Sequence, residues 1–200
     1  VERQKKNPQR FNIYLDGDFA FGADEDTVVN FRLLKGKAIS EEEFEKIIFE
    51  TEIGKLMERM YGLFGRRQRT EKEVRDYLRN LSFKRTLKDQ EAISPFVVDK
   101  VIARLYEKRL LDDRLFAEEW VRARQLSKKK GQIAIKQELM QKGVAKEVID
   151  EVMEVQTSPE NEYSLAQEAL VKKERLFKGL EGNELKQKTL QFLLRRGFSY

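Results

Sequence analysis

One spacing that recurs three times constrains this chain more than any other feature. Val74, Leu78 and Ser82 stand four residues apart, as do Ile135, Leu139 and Gly143, and then Thr189, Leu193 and Gly197. Steps of four keep side chains on one face of a helix. The last two copies, Glu138-Leu139-Met140-Gln141-Lys142-Gly143 and Phe192-Leu193-Leu194-Arg195-Arg196-Gly197, each read as a helix stopped by Gly just past its end, with basic residues in the last turn. A longer amphipathic helix precedes each copy, and a further helix follows the first two, around Phe96–Arg109 and Lys146–Met153. The unit is three helices at a period of roughly 55–60 residues, far from the ~34 and ~33 of tetratricopeptide and ankyrin repeats. A unit this small has little interior, so neighbours are expected to share faces. The fold class predicted is mainly α: tandem three-helix repeats in an elongated, curved array, with a small N-terminal module containing a β-hairpin.

The expected divisions are 1–38 for the hairpin module, 39–113 for the first repeat with its leading helix, 114–157 for the second and 158–200 for the third. In the module, Phe11, Ile13 and Leu15 alternate with Asn12 and Tyr14 up to Asp16-Gly17, a hairpin signal because Gly tolerates the positive φ of a tight turn. The stretch Val28 to Leu34 fits a strand or a helical turn equally. Ser40-Glu41-Glu42-Glu43 reads as a capping box opening the helical region. Ile53, Leu56, Met57, Met60, Tyr61 and Phe64 form one helical stripe, and Val97, Val98, Val101, Ile102 and Leu105 form another. The third repeat stops early: only Phe198, Ser199 and Tyr200 follow Gly197, which predicts that the natural protein continues beyond Tyr200.

The chain contains no Cys and no His. Disulfides, thiolate chemistry, His-based triads and Zn sites of the usual donors are thereby excluded. No P-loop is present: Gly36-Lys37 and Gly54-Lys55 lack the preceding Gly and the following hydroxyl. Asp16, Asp18, Asp24, Glu25 and Asp26 miss the spacing of a Ca²⁺ loop, and turn and helix-start roles explain them more simply than a Mg²⁺ site. The expectation is no catalytic residue, no metal and no cofactor. No apolar run approaches the ~20 residues that span a bilayer, so no membrane partner is expected.

Charge is unevenly distributed. Lys and Arg number 40 against 35 Asp and Glu, yet residues 54–85 carry 10 basic and 4 acidic side chains and residues 114–143 carry 8 and 3, whereas residues 144–164 carry 1 and 6. The first two helices of each repeat are therefore basic and the following stretch is not, a pattern suited to a polyanion or a charged filament. The expected partner-binding or DNA-binding set is Arg66, Arg67, Arg69, Lys72, Arg75, Lys128, Lys129, Lys130, Lys172, Lys173, Arg195 and Arg196, chosen by charge and recurrence. For any one cluster a solvated surface is the competing explanation. Phe116 and Trp120 lie in an apolar stripe, where core packing is favoured over base stacking.

Leu111-Asp112-Asp113-Arg114-Leu115-Phe116-Ala117 resembles the Leu-Asp-Asp-x-x-Phe-Ala signature of the RecX family, bacterial regulators of the RecA recombinase. Arg67, Thr70, Glu73 and Val74 resemble the opening of that family's first repeat. Gly131 through Gly143, with Leu139, resembles its second, and Leu193 through Gly197 and Phe198 the end of its third. Tyr14–Phe21 is similar to the extension found in Gram-positive members. Departures are Ser82 where Gly is usual, a longer connection at residues 83–93 and the missing last helix. The resemblance implies a non-enzymatic, cytoplasmic regulator in DNA repair and the SOS response. It would bind RecA, above all the filament on single-stranded DNA, and mainly inhibit its ATPase, strand exchange and coprotease activities. Direct contact with single- or double-stranded DNA is a further implied role, and a monomer is expected. A DNA-binding protein without a recombinase target, or a helical scaffold, are the alternatives. From the residues alone, Asp112 or Asp113 is expected to cap the helix that carries Phe116, Ala117, Trp120 and Val121.

Overall fold

The computed structural model describes residues 1–5 and 7–199; Tyr200, where the repeat pattern breaks off, lies outside the described residues. The chain divides into two compact units, one of Val1–Gln68 with Tyr77–Leu110 and one of Arg69–Asp76 with Leu111–Tyr200.

The first unit opens with an antiparallel sheet of β1 (Glu2–Arg3), β2 (Arg10–Leu15) and β3 (Asp18–Asp24), in that order. Asp16 and Gly17 between β2 and β3 both have positive φ, 50° and 98°, as a tight hairpin with right-handed strand twist requires. The undecided stretch is helical only at its start, the end of α1 (Glu25–Asn30), which Asp24 caps by accepting the Thr27 amide at 2.8 Å; Phe31 to Leu34 leave the helix as a turn. Helix α2 (Glu41–Phe64) is capped by Ser40, which accepts from the Glu43 amide. The Glu43 side chain does not complete the capping box; it pairs with Lys37 at 2.5 Å. Ile13, Phe21, Ala23 and Leu33 bury against Ile47 of α2, with Phe44 at the edge, so the hairpin module has its core on the leading helix.

Helix α3 (Glu71–Thr86) passes from one unit to the other. It does not end at Ser82. With Ser there instead of Gly it continues to Thr86, and the Ser82 hydroxyl accepts the Ile93 amide at 2.9 Å. Helix α4 (Pro95–Glu107) starts at the Ser94 cap with Pro at its first position, where the missing N–H costs nothing. It is tied to α2 by Arg104–Glu50 at 2.5 Å and by stacked Phe49 and Phe96.

The second unit contains α5 (Asp113–Ala123), a π-helical turn at Arg124–Lys128, α6 (Gln132–Gln141), α7 (Lys146–Gln156), α8 (Pro159–Val171) and α9 (Gly182–Arg195). Phe116, Ala117 and Val121 of α5, Ile135 and Leu139 of α6, and Ile149, Val152 and Met153 of α7 form its main core. Leu165, Ala169 and Phe198 form a smaller one between α8 and the end of α9. The expectation that a longer helix precedes each marked helix fails in the third repeat, where α8 has 13 residues and α9 has 14. The recurrent positions are also unequal: Val74, Leu78, Ile135 and Leu139 are fully buried, whereas Thr189 and Leu193 are half-buried. Among the described residues no helix is long and apolar enough to cross a membrane.

Candidate functional site

Gly143 and Gly197 are what the sequence promised, glycines in the left-handed region at φ +84° and +81° just past a helix end. Each completes the same double closure. Gly143 donates to the Met140 carbonyl and Val144 to Leu139; Gly197 donates to Leu194 and Phe198 to Leu193. Val144 and Phe198, the residues that follow, are buried.

The second closure has a partner that the sequence did not reveal. Helix α6 begins at Gly131, which has no side chain with which to cap it. Its leading amides are satisfied by the end of α9: Gly131 donates to the Arg196 carbonyl and Ile133 to the Gly197 carbonyl, both at 3.0 Å. The amide of Gln132 reaches Glu162 of α8 at 3.4 Å. Each helix end thus saturates the other, positive end against negative end. No side chain fits in the seam. A Cβ on Gly131 would overlap the Gly197 carbonyl, and one on Gly197 would overlap the backbone of Ala134.

This seam gathers three of the predicted basic clusters. Arg196 donates to the Lys128 carbonyl, Lys172 to the Ser127 carbonyl at 3.3 Å, and Lys129 pairs with Glu168 at 2.5 Å. These contacts surround the end of the π-helical turn, where Lys129 takes φ 48° and reverses the chain. Lys128, Lys173 and Arg195 are exposed there and form no ion pair among the described residues. Lys130 is drawn inward to Glu138, which also accepts from Arg124 at 2.6 Å and from the Trp120 indole N–H at 2.8 Å. Trp120 stacks on Phe116, and the Arg124 guanidinium lies 3.9 Å from the centre of its ring. Burial opposes the charge of Glu138, but the hydrogen bonds from Lys130, Arg124 and Trp120 and the charge of Arg124 together hold its carboxyl below the ordinary value.

The basic residues of α3 gather at the opposite end of α6. Lys72 donates to the Gln141 carbonyl at 2.9 Å, Thr70 to the Lys142 carbonyl at 2.7 Å, and Lys142 pairs with Glu73 at 2.5 Å. Arg75 pairs with Glu71 at 2.7 Å. Arg69 lies beside this group in the second unit, and Arg66 and Arg67 are exposed residues of the first. Glu138 and Glu168, which fix cations of the seam, and Glu162, which accepts the amides of Gln132 and Ser199, carried no signal in the sequence.

Leu111 is buried and leads into the signature. Both of its aspartates are caps, and they cap different helices. Asp112 accepts the Leu115 amide at 2.8 Å and starts α5; Asp113 accepts the Glu71 amide at 3.1 Å and caps α3. Burial, then the like charges of Glu71, Asp112 and Glu73, push the Asp113 carboxyl above its ordinary value, against the pull of the Glu71 amide. Asp112→Ala and Asp113→Ala are each expected to cost about 1 kcal/mol. A folded-state value above the unfolded one means that ionising Asp113 costs the fold more as pH rises through it. Asp113→Asn keeps an acceptor without the charge, so its melting midpoint should gain on that of the parent between pH 3 and pH 7. A constant difference across that range would refute this role for the charge.

Three-helix bodies with glycine-closed helix ends, a small antiparallel sheet ahead of them and a cation-rich seam define a helical-repeat protein. Family profiles agree in order along the chain: the RecX N-terminal domain matches residues 1–40, the RecX second three-helix domain residues 112–153 and the RecX third three-helix domain residues 160–200. The regulatory protein RecX of Bacillus velezensis is 34% identical over 203 residues and that of Listeria welshimeri 30% over 199; both comparisons cover the whole chain, and 72% and 70% of the relatives. A crystal structure of regulatory protein RecX superposes with a TM-score of 0.79 at 30% identity, covering 95% of this chain and 90% of that one. RecX from Lactobacillus salivarius gives 0.63 at 25% identity, with 74% and 89% covered. The chain belongs to the RecX family of regulatory proteins.

Proposed function

We propose that this chain binds the RecA recombinase in its filament on single-stranded DNA and restrains its ATPase, strand-exchange and coprotease activities without catalysing a reaction itself. Membership of the RecX family over the whole chain carries the reading. The seam of the second unit supports it. Lys128, Lys173 and Arg195 stand exposed around one chain reversal, while their neighbours Lys129, Lys130, Lys172 and Arg196 fix that reversal in place. Held cations of this kind suit the phosphates and carboxylates of a nucleoprotein filament better than mobile ones, because less freedom is lost on binding.

The test is the ATPase rate of RecA filaments assembled on single-stranded DNA and titrated with this protein. Inhibition well below one molecule per recombinase subunit is expected. The triple variant Lys128→Ala, Lys173→Ala and Arg195→Ala should weaken inhibition roughly tenfold and steepen no salt dependence, with an unchanged melting curve. Lys130→Ala should instead lower the melting midpoint, because Lys130 works inside the fold. Absence of inhibition by the parent protein at excess would overturn the proposal. Binding to bare DNA of any sequence that is lost equally in the triple variant, without inhibition of the filament, would assign the surface to direct DNA contact.

A further inference from the structure

The second and third repeats keep separate cores. Phe116, Val121, Ile135, Leu139 and Ile149 belong to one; Leu165, Ala169 and Phe198, with Phe192 and Leu193 against them, belong to the other. The bonds that join them are polar. Gly131 and Ile133 donate to the carbonyls of Arg196 and Gly197, Lys129 pairs with Glu168, and Lys172 reaches the Ser127 carbonyl only at 3.3 Å. Glu168 is 52% exposed and Lys172 is exposed, so water competes for both. A cavity of about 10 Å³, room for one water, lies on the seam, lined by Gln132 on one side and Asn161 and Leu165 on the other. Hydrogen bonds given up here are remade to water, whereas parting a core exposes apolar surface. Opening the seam therefore costs less than unfolding either repeat. The connection that would bend is two extended residues, Thr157 and Ser158, between the end of α7 and the start of α8.

Closing the seam also has an electrostatic cost. Arg196 is bonded to the Lys128 carbonyl and Lys172 to the carbonyl before it. Docking therefore brings Arg195 and Lys173, the exposed chain neighbours of those two, towards exposed Lys128. Lys128 belongs to the second repeat and the other two to the third. Like charges gathered in one place repel, and an anion set among them removes that cost. Such an anion favours the docked state, because only there do the three cations act together.

We propose that the third repeat is a clasp. It opens at this seam in the free protein, and an anionic partner that spans Lys128 on one side and Lys173 and Arg195 on the other holds it shut. The partner is the recombinase filament on single-stranded DNA, and in this the clasp rests on the function proposed above. Coupling of this kind is reciprocal: what the filament gains from a closed seam returns as protection of the seam's own bonds.

Amide hydrogen exchange reads both halves of the device. In the free protein the amides of Gly131 and Ile133, which bond across the seam, should exchange at least about tenfold faster than that of Leu139 within α6 and that of Phe198, which bonds within the third repeat. Protection of Phe198 distinguishes a repeat that swings as a body from a helix end that frays. Glu168→Gln, in α8 and remote from both seam amides in sequence, should speed those two about threefold and leave Leu139 unchanged. Saturating RecA filament on single-stranded DNA should slow the seam amides about tenfold in the parent. It should have little effect on them in Lys128→Ala, whose backbone carbonyl still receives Arg196. Seam amides that exchange in step with Leu139 in the free protein would overturn the clasp, whatever the filament does. Inhibition of the filament with no slowing of the seam would overturn the coupling and leave the proposed function standing. Fast seam amides with no inhibition at excess would overturn the proposed function, and with it the partner named here.

Discussion

Gly197→Ala is expected to open the seam between the second and third repeats and to cost about 2–5 kcal/mol. Two penalties act together. At φ +81° an L side chain meets the strain of the left-handed region, about 1–2 kcal/mol. The new methyl would also overlap the backbone of Ala134, which belongs to the first turn of α6 and has no way to swing aside, an overpacking cost of about 1–3 kcal/mol. Other glycines separate the two penalties. Gly179, at φ +82° with nothing within 4 Å of an added Cβ, reports strain alone. Gly131, at φ −76°, reports crowding alone, against the Gly197 carbonyl. The expected order of destabilisation is Gly197→Ala, then Gly131→Ala, then Gly179→Ala. Hydrogen exchange locates the damage: the amides of Gly131 and Ile133, donated to Arg196 and Gly197, should lose protection in Gly197→Ala. Because the seam also fixes the chain reversal that carries Lys128, the function proposed above predicts weaker inhibition of the recombinase alongside this loss. A Gly197→Ala protein that melts like Gly179→Ala, with both amides still protected, would refute the mutual cap.

That cap marks where the sequence stops being legible. Local chemistry was readable wherever cause and effect lie within a few residues: Asp16-Gly17 makes the hairpin, Ser40 and Asp112 cap the helices that follow them, and Gly143 and Gly197 close the helices before them. The spacing of four also placed Val74, Leu78, Ile135 and Leu139 correctly in the interior. What could not be read are pairings between distant segments. Gly131 and Gly197 stood out singly, and nothing local shows that one helix start would use the other helix's end. The only clue was negative, a helix beginning at Gly131 without a Ser, Thr or Asp to cap it. Charge counting is silent on the same kind of pairing. Summing Lys128, Lys129 and Lys130 treats them alike, but helix direction and the π-helical turn send Lys128 outward, Lys129 to Glu168 and Lys130 to Glu138. Asp113 was expected to serve α5 in competition with Asp112, and instead caps α3, whose first turn lies in the same unit.

Glu138 gives the second large effect, because one carboxylate there satisfies three donors. Glu138→Ala would leave Arg124, Lys130 and the Trp120 indole without it, and Arg124 is only 19% exposed. Removing one partner of a fully buried ion pair costs about 3–5 kcal/mol. Glu138 retains 21% exposure, so water compensates in part and about 2–3 kcal/mol is expected. Glu138→Gln can still accept from the indole and from one cation, and should cost about half as much. The pH dependence distinguishes charge from shape. The Glu138 carboxyl lies below its ordinary value of 4.5 in the fold, so its stabilising contribution is complete above that value. It is lost as pH falls through the lower folded-state value, because the unfolded chain then binds the proton first. The gap in melting midpoint between the parent and Glu138→Gln should therefore be widest near pH 7 and close in acid below pH 4.5, opposite in sense to the trend for Asp113→Asn. Trp120 fluorescence reports the same event directly, since protonating Glu138 weakens the bond it accepts from the indole N–H and its hold on the Arg124 guanidinium beside the ring. A gap that stays constant from pH 7 into acid, with unchanged Trp120 emission, would show that Glu138 acts through packing and not through its charge.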